Sequence, residues 1–328
     1  MSDIFHDKDI SEFSFLVTGG AGFIGSHIAE YLLKHGAKKV RIIDNLVNGF
    51  QYNIEILKQY AGFEFIEGDI RNFDFCLHAC SGIDYVTHQA ALGSVPRSIK
   101  EPSYTNDVNV GGFVNILKAA VDNDVKQFVY ASSSSVYGDE PTLPKKEEQI
   151  GNCLSPYAVS KRANELYAQV FADVYRFPVI GLRYFNIFGP RQDPDGPYAA
   201  VIPLFVKGII NHTPIYIYGD GEQTRDFTFV ENAVQINILS MFTENKVAIN
   251  KVYNVAVGEN FSINYVYNTV KKYLQSDHKA TYREPREGDI RDSLADISLA
   301  KNLLGYKPAA KFEEGLKISI EHFKDLYF

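Results

Sequence analysis

One junction constrains this 328-residue chain more than any other: Phe15-Leu16-Val17-Thr18-Gly19-Gly20-Ala21-Gly22-Phe23-Ile24-Gly25. A run apolar at successive positions stops at a cluster of glycines and restarts as an amphipathic stretch. Strands buried on both faces belong to parallel sheets covered by helices. Gly19, Gly22 and Gly25 stand at GxxGxxG spacing. Without side chains there, the backbone can turn sharply and approach an anion, and the following helix directs its free N–H groups and positive dipole end at the same point. Taken alone, the triplet also fits a glycine-rich turn kept for close packing. Asp44 favours the ligand reading, because it ends the second candidate strand 19 residues after Gly25. A carboxylate there accepts from a ribose 2′-hydroxyl and repels a 2′-phosphate, which selects NAD over NADP.

The rest of the chain repeats the alternation. Strands are expected at 13–18, 40–44, 63–67, 85–89, 127–132 and 179–184, and helices near 23–35, 103–121 and 157–175. Alternating strands and helices build right-handed βαβ units. The expected class is therefore α/β, a doubly wound parallel sheet of Rossmann type. After about residue 185 the rhythm changes. Gly189 to Pro197 reads GPRQDPDGP, a turn-rich loop, and helices near 199–210, 229–243, 262–274 and 311–325 mix with short strands at Tyr216–Tyr218 and 252–257. The expected division is a dinucleotide-binding part over 1–185 and a smaller mixed α/β substrate-binding part over 186–328, with 252–257 a candidate to return to the main sheet.

Composition narrows the function classes. Hydrophobic residues at 45% support a folded core, and 33 basic against 40 acidic residues give a net charge of −7. A mildly acidic surface makes nucleic acid and anionic membrane poor partners. No apolar run reaches the roughly 20 residues of a membrane span, and residues 1–12 lack the basic and apolar character of a signal peptide. Cys76, Cys80 and Cys153 are too few for a disulfide framework, so a cytoplasmic location is expected. Cys76 and Cys80 lie one helical turn apart without a second ligand pair, which suits a core position better than a metal site.

Strand ends are where ligands sit in open α/β sheets. The fifth strand runs into Ser132-Ser133-Ser134-Ser135, and Tyr157 and Lys161 share a helix face at i and i+4. A free phenol ionises near pH 10, but a neighbouring ammonium and a cationic nicotinamide both favour its anion. A phenolate so tuned can take the proton of a substrate alcohol while hydride leaves the same carbon. On its own, YxxxK also occurs on ordinary exposed helices. After the third strand, Asp69 is placed to reach an adenine or to cap the helix that begins near Asn72. Ala90 and Ala91 are small enough for a ligand, or a packed backbone, to pass close by.

Together these residues resemble the extended short-chain dehydrogenase/reductase family over essentially the whole chain. The match is carried by TGGAGFIG at 18–25, Asp44, Asp69, the serine run and YAVSK at 157–161. SVPRSI at 94–99, LRYFNIFGPRQDPDGPYAAVIP at 182–203 and REGDIRDSLAD at 286–296 are similar to nucleotide-sugar 4-epimerases, in particular those acting on UDP-N-acetylhexosamines. The resemblance implies tightly held NAD, with Tyr157, Lys161 and Ser133 catalytic and Ser134 the next candidate for the serine. Lys161 would contact the nicotinamide ribose and depress the phenol's pKa. It implies cofactor contacts from Gly19, Gly22, Phe23, Ile24, Asp44, Asn45, Asn48, Gly49, Asp69 and Ile70. Gln89, Ala90, Ala91, Asn109, Ser132, Tyr157, Lys161 and Tyr184 complete that set. The UDP-sugar is expected at Ser94, Ser133, Ser134, Tyr157, Asn186, Gln192, Ala200, Val201 and Tyr216. Arg225 and Arg286 are fork donors suited to its diphosphate, and Asp289 can accept from a hydroxyl. Beside Asp226, Arg225 also fits a plain surface ion pair.

Ser293, four residues after Asp289, corresponds in the family to the wall around the sugar's C2 substituent. A bulky Tyr there leaves room only for a hydroxyl, whereas a small residue admits an N-acetyl group. The implied reaction is reversible 4-epimerisation of UDP-N-acetylglucosamine and UDP-N-acetylgalactosamine through a 4-keto sugar. UDP-glucose/UDP-galactose or UDP-glucuronate 4-epimerisation is the alternative. Elimination or decarboxylation is disfavoured, since Ser134 and Ser135 stand where those enzymes carry acidic residues. A non-catalytic NAD sensor on the same fold would lack the Tyr157/Lys161 pair. The resemblance also implies a homodimer formed through helices near 103–121 and 157–175.

Overall fold

The computed structural model describes residues 4–195, 200–285 and 291–327. Seven parallel strands form the central sheet. Six come from the first 184 residues: β1 (Ser14–Thr18), β2 (Lys39–Asp44), β3 (Phe63–Glu67), β4 (Tyr85–His88), β5 (Gln127–Ser133) and β6 (Val179–Tyr184). The seventh, Lys251–Val255, lies beside β6, so the order across the sheet is Lys251–Val255, β6, β5, β4, β1, β2, β3. The order reverses at β1 and β4, and a crevice opens there at the carboxyl ends of the strands.

The doubly apolar pattern of the strands has a direct physical outcome. In β1, Phe15 and Val17 pack into one layer with Ile28 and Leu32 of α1 (Phe23–Lys34) and Ile236 of the helix Val230–Phe242. Leu16 points the other way, into a layer with Phe113 and Ile116. Cys76 and Cys80 are fully buried in that second layer. A third cluster holds the C-terminal part together, built from Phe188, Phe205, Phe227, Phe229, Val266, Phe312 and Ile320. Among the described residues no helix is long and apolar enough to cross a membrane.

The expected continuous helix over 103–121 is instead three successive segments. Pro102–Asn106 is α-helical, Asp107–Gly112 forms a wider π-helical turn, and Phe113–Asp122 is α-helical again. Such bulges recur near functional sites. Here the turn carries Asn109, whose side chain holds Leu92 just beyond the end of β4.

Candidate active site

The glycine turn is built by close approach. Gly19 has φ +65°, and a Cβ there would lie 2.8 Å from the backbone N and Cα of Ala90. A Cβ on Gly25 would meet the Gly19 carbonyl oxygen at 2.2 Å. Any side chain at either position forces the strand and helix apart. Thr18, at the end of β1, fixes the neighbouring strand end. Its Oγ1 accepts from the N–H groups of Gln89 and Ala90, each at 3.2 Å, which leaves its own proton for His88 Nδ1 at 2.9 Å. Burial, then the charge of Lys161, push His88 down to about 3, so it is a neutral acceptor. Asp44 also staples the turn, accepting from Ala21 N at 3.1 Å and Leu46 N at 2.8 Å. Burial raises its pKa from the ordinary carboxylate value.

Above these strand ends lies a cavity of about 860 Å³. Of the predicted cofactor residues, Gly19, Gly22, Phe23, Ile24, Asp44, Asn45, Asn48, Gly49, Ile70, Gln89, Ala90, Ala91, Ser132 and Tyr184 line it. So do Ser94, Ser133, Ser134, Tyr157, Lys161, Asn186, Gln192 and Ala200. An adjoining cavity of about 660 Å³ takes Asn186, Ala200, Val201, Tyr216 and Arg225 into its wall, so Asn186 and Ala200 belong to both. A glycine cradle that any Cβ would fill, a helix N-terminus behind it and a carboxylate at the end of β2 together fit a dinucleotide.

Some expected residues sit elsewhere. Asp69 is not in the cavity wall. Arg71 holds its carboxylate from Nε and Nη2, and Asn45 adds a 3.1 Å bond. The Arg71 hydrogen bond first of all pulls Asp69 down to about 2. Asp69 is not the helix cap either, because Asn72 fills that role by accepting from Phe75 N. Asn109 is likewise off the cavity, its amide spent on Leu92 and on Ser160 Oγ. Ser293 is not among the described wall residues of either cavity, and its N–H donates to Thr224 O at 3.1 Å, one residue from Arg225. Arg286 and Asp289 lie outside the described residues. Asp226 is fully buried, and its carboxylate accepts from the backbone of Val257, Gly258 and Ala295. It therefore ties loops together where a surface ion pair with Arg225 was the alternative.

The catalytic candidates converge on the end of β5. The helix Pro156–Tyr175 starts on a Ser155 cap, whose side chain accepts from Ala158 N, with Pro156 in the first turn. Pro at that position is pre-set for a helix and lacks the N–H that would go unused. The Tyr157 N–H donates to Ser98 Oγ at 3.0 Å, which anchors this first turn. Lys161, almost wholly buried, donates from Nζ to Ala131 O at 2.8 Å, just before the serine run. Burial pushes this ammonium down to about 8. Burial also raises the Tyr157 phenol, while its hydrogen bond with the Ser133 hydroxyl lowers it, and the net direction is upward. The expected depression by Lys161 is absent in the protein alone. Ser133 Oγ also accepts from Ser135 N and from Ser135 Oγ, which fixes its position.

Glu165, Arg183, Thr87 and Asn237, missed in the sequence, support this centre from behind. Glu165 is one turn after Lys161 and accepts from Ser132 Oγ at 2.7 Å and from Arg183 Nε and Nη2. Its i+4 spacing from Lys161 was the available signal. Beneath Gln89, four side chains close a polar ring. Tyr184 donates to Gln89 Oε1, Asn237 Nδ2 donates to the Tyr184 hydroxyl, Thr87 donates to Asn237 Oδ1, and Gln89 Nε2 donates to Thr87. Nothing local in the sequence pairs Asn237 with β4, since 150 residues separate it from Thr87.

Known proteins place this geometry. Residues 15–256 match the NAD dependent epimerase/dehydratase family. A putative UDP-glucose 4-epimerase of Methanocaldococcus jannaschii is 37% identical over 313 residues, covering 94% of this chain and 98% of that protein. The solved UDP-N-acetylglucosamine 4-epimerase from Methanobrevibacter ruminantium M1, in complex with UDP-N-acetylmuramic acid, superposes with a TM-score of 0.90 at 41% identity, over 96% of this chain and 99% of that one. The UDP-glucuronic acid 4-epimerase from Bacillus cereus, solved with UDP-glucuronic acid and NAD, gives 0.89 at 32% identity, over 96% of this chain and all (100%) of that one. On the glycine cradle, the Tyr157/Lys161 helix and this match across most of its length, the chain belongs to the NAD dependent epimerase/dehydratase family, and its cofactor is NAD.

Proposed function

We propose that this protein reversibly epimerises UDP-N-acetylglucosamine and UDP-N-acetylgalactosamine at C4. The observation that carries the proposal is the convergence of Ser133, Tyr157 and Lys161 at one end of a cavity that continues into a second, lined by Tyr216 and Arg225. When bound, NAD supplies a reversible hydride acceptor and a positive ring charge. Ser133 holds the sugar oxygen, and Tyr157 takes the hydroxyl proton and returns it after the sugar has turned. Because burial raises the lone phenol, Tyr157 stays neutral until positive charge joins it, which confines base strength to the loaded site. Asn186 and Arg225 would hold the diphosphate, so that the sugar can rotate while its nucleotide stays fixed. In this reading residues up to about 185 hold the cofactor and those beyond hold the UDP-sugar.

The preference for the acetylated pair rests on Ser293, a small residue whose N–H bonds the backbone of Thr224, one position before the cavity residue Arg225, and on the likeness to the M. ruminantium enzyme. The test is incubation of purified protein with UDP-N-acetylglucosamine, without added cofactor, and separation of the epimers. Formation of the galacto epimer by the wild type and its loss in Tyr157→Phe are expected. Turnover of UDP-glucose or UDP-glucuronate alone would reassign the substrate.

A second copy of the chain is proposed to cover the outer face of Pro156–Tyr175. Val159, Leu166, Val170 and Val174 recur there at helical spacing and are more than half exposed, at 55%, 53%, 53% and 68%. Contiguous apolar patches of this kind mark interaction sites. Sedimentation of the wild type as a dimer, and of Val170→Glu as a monomer, checks it.

A further inference from the structure

The dinucleotide cavity has a charge problem that the glycine turn alone leaves unsolved. A diphosphate brings two negative charges, and the wall already holds the carboxylates of Asp44 and Asp193. Among the described wall residues the cations are Lys161 and Arg97. Lys161 is committed to the other end, bonded to Ala131 O beside Ser133 and Tyr157. Arg97 stands on the short helix Val95–Lys100, across the cavity from the loop that follows β2. Its Nη1 donates to Asn48 Oδ1 at 3.2 Å. No carboxylate among the described residues pairs with it, so most of the donors of its planar fork are uncommitted.

The position of Asn48 ties Arg97 to the glycine turn. The next residue, Gly49, sits so close that a Cβ on it would lie 2.9 Å from the Ala21 Cβ, and Phe50 N donates to Ala21 O at 3.0 Å. The Asn48 side chain therefore belongs to a loop that leans on the Thr18–Gly25 turn, and Arg97 is strapped across to it. We propose that Arg97 is the counter-charge of the dinucleotide's diphosphate, reaching over the glycine turn from the Asn48 side and holding the cofactor in place between turnovers. The inference rests on the cofactor and not on which sugar is epimerised, so it stands even where the substrate reading fails.

The experiment measures NAD release from the full chain loaded with NAD, and binding of ADP-ribose and UDP to the full chain freed of dinucleotide. Arg97→Gln and Arg97→Lys are compared with the wild type. A charge-assisted fork on phosphate should make Arg97→Gln release NAD and ADP-ribose about 10-fold faster or more, with Arg97→Lys between. Raising salt should speed release from the wild type and leave Arg97→Gln nearly unmoved. UDP binding should not change. Arg97 is partly exposed, and an unaltered thermal midpoint in each variant confirms that the fold is intact. The proposal is overturned by unchanged release in Arg97→Gln, by faster release that keeps the wild-type salt dependence, or by weakened UDP binding with ADP-ribose binding intact.

Discussion

Glu165 and Arg183 meet as a two-point ion pair directly behind the serine run, with Nε to Oε1 at 2.8 Å, Nη2 to Oε2 at 3.0 Å, and both side chains 2% exposed. Burial alone would raise the Glu165 carboxyl, but Arg183 wins and holds it below its ordinary value. The same carboxylate takes the Ser132 hydroxyl, so the pair sets where β5 ends. Removing Glu165 strands the Arg183 charge in the interior, a loss of about 3–5 kcal/mol, while removing Arg183 leaves the buried carboxylate with only the part-exposed Arg162, at 2.9 Å, as an ion-pair partner. Glu165→Gln and Arg183→Met should each lower the denaturant midpoint steeply. The double variant Glu165→Met/Arg183→Met should recover much of it, because no lone buried charge remains: Arg162, the other partner of Glu165, is part-exposed.

Lys161, proposed to act with Tyr157, is held at a cost. Its native value of about 8 lies below its ordinary 10.5. Between those values the unfolded chain binds the extra proton, so this group lets stability rise with pH from about 8 upward and opposes folding below it. Lys161→Met should therefore be more stable than the wild type at pH 7 in the dinucleotide-free protein, by on the order of 1 kcal/mol after the lost Ala131 bond is counted. It should also be inactive. Chemical denaturation at pH 7 and pH 10 checks the sign, since the difference should shrink at the higher pH.

Acid should unfold the protein through buried rings. His88 and His27 are both pushed down to about 3, chiefly by burial, from 6.5. Protons bind the unfolded chain first as pH falls through 6.5. For His88, which is 2% exposed, each pH unit below that removes about 1.4 kcal/mol. His27 is partly exposed, and water offsets part of its effect. A melting series from pH 7.5 to 5 should slope downward, and His88→Gln should flatten it.

Ser293→Tyr should suppress turnover of UDP-N-acetylglucosamine while sparing UDP-glucose. The measurement is kcat/KM on both substrates. Equal losses on the two would remove the idea that this position gates the C2 substituent.

Fold and chemistry were legible to different depths. Strands such as β1 are short and apolar on both faces, and parallel burial is the structure that satisfies such a pattern. Tyr157 and Lys161 were legible because a helix brings i and i+4 together. Local pattern could not reveal partners distant in sequence. Asp69 is a local case by contrast, its carboxylate bonded by Arg71 only two residues on. Asn109 had the right chemistry on a helix whose π turn aims it at Leu92. Arg97 lay inside SVPRSI, a stretch informative for resemblance, yet its side-chain partner Asn48 is 49 residues away.

The seventh strand also bears on how the gene can be cut. Lys251–Val255 travels back from the C-terminal part to cover the flank of β6. A fragment ending near 185 would strip β6 of that neighbour and bare a row of backbone donors and acceptors, a template for self-association. Expression of residues 1–185 alone should yield aggregates, and a permuted gene that carries 251–255 along should stay dispersed.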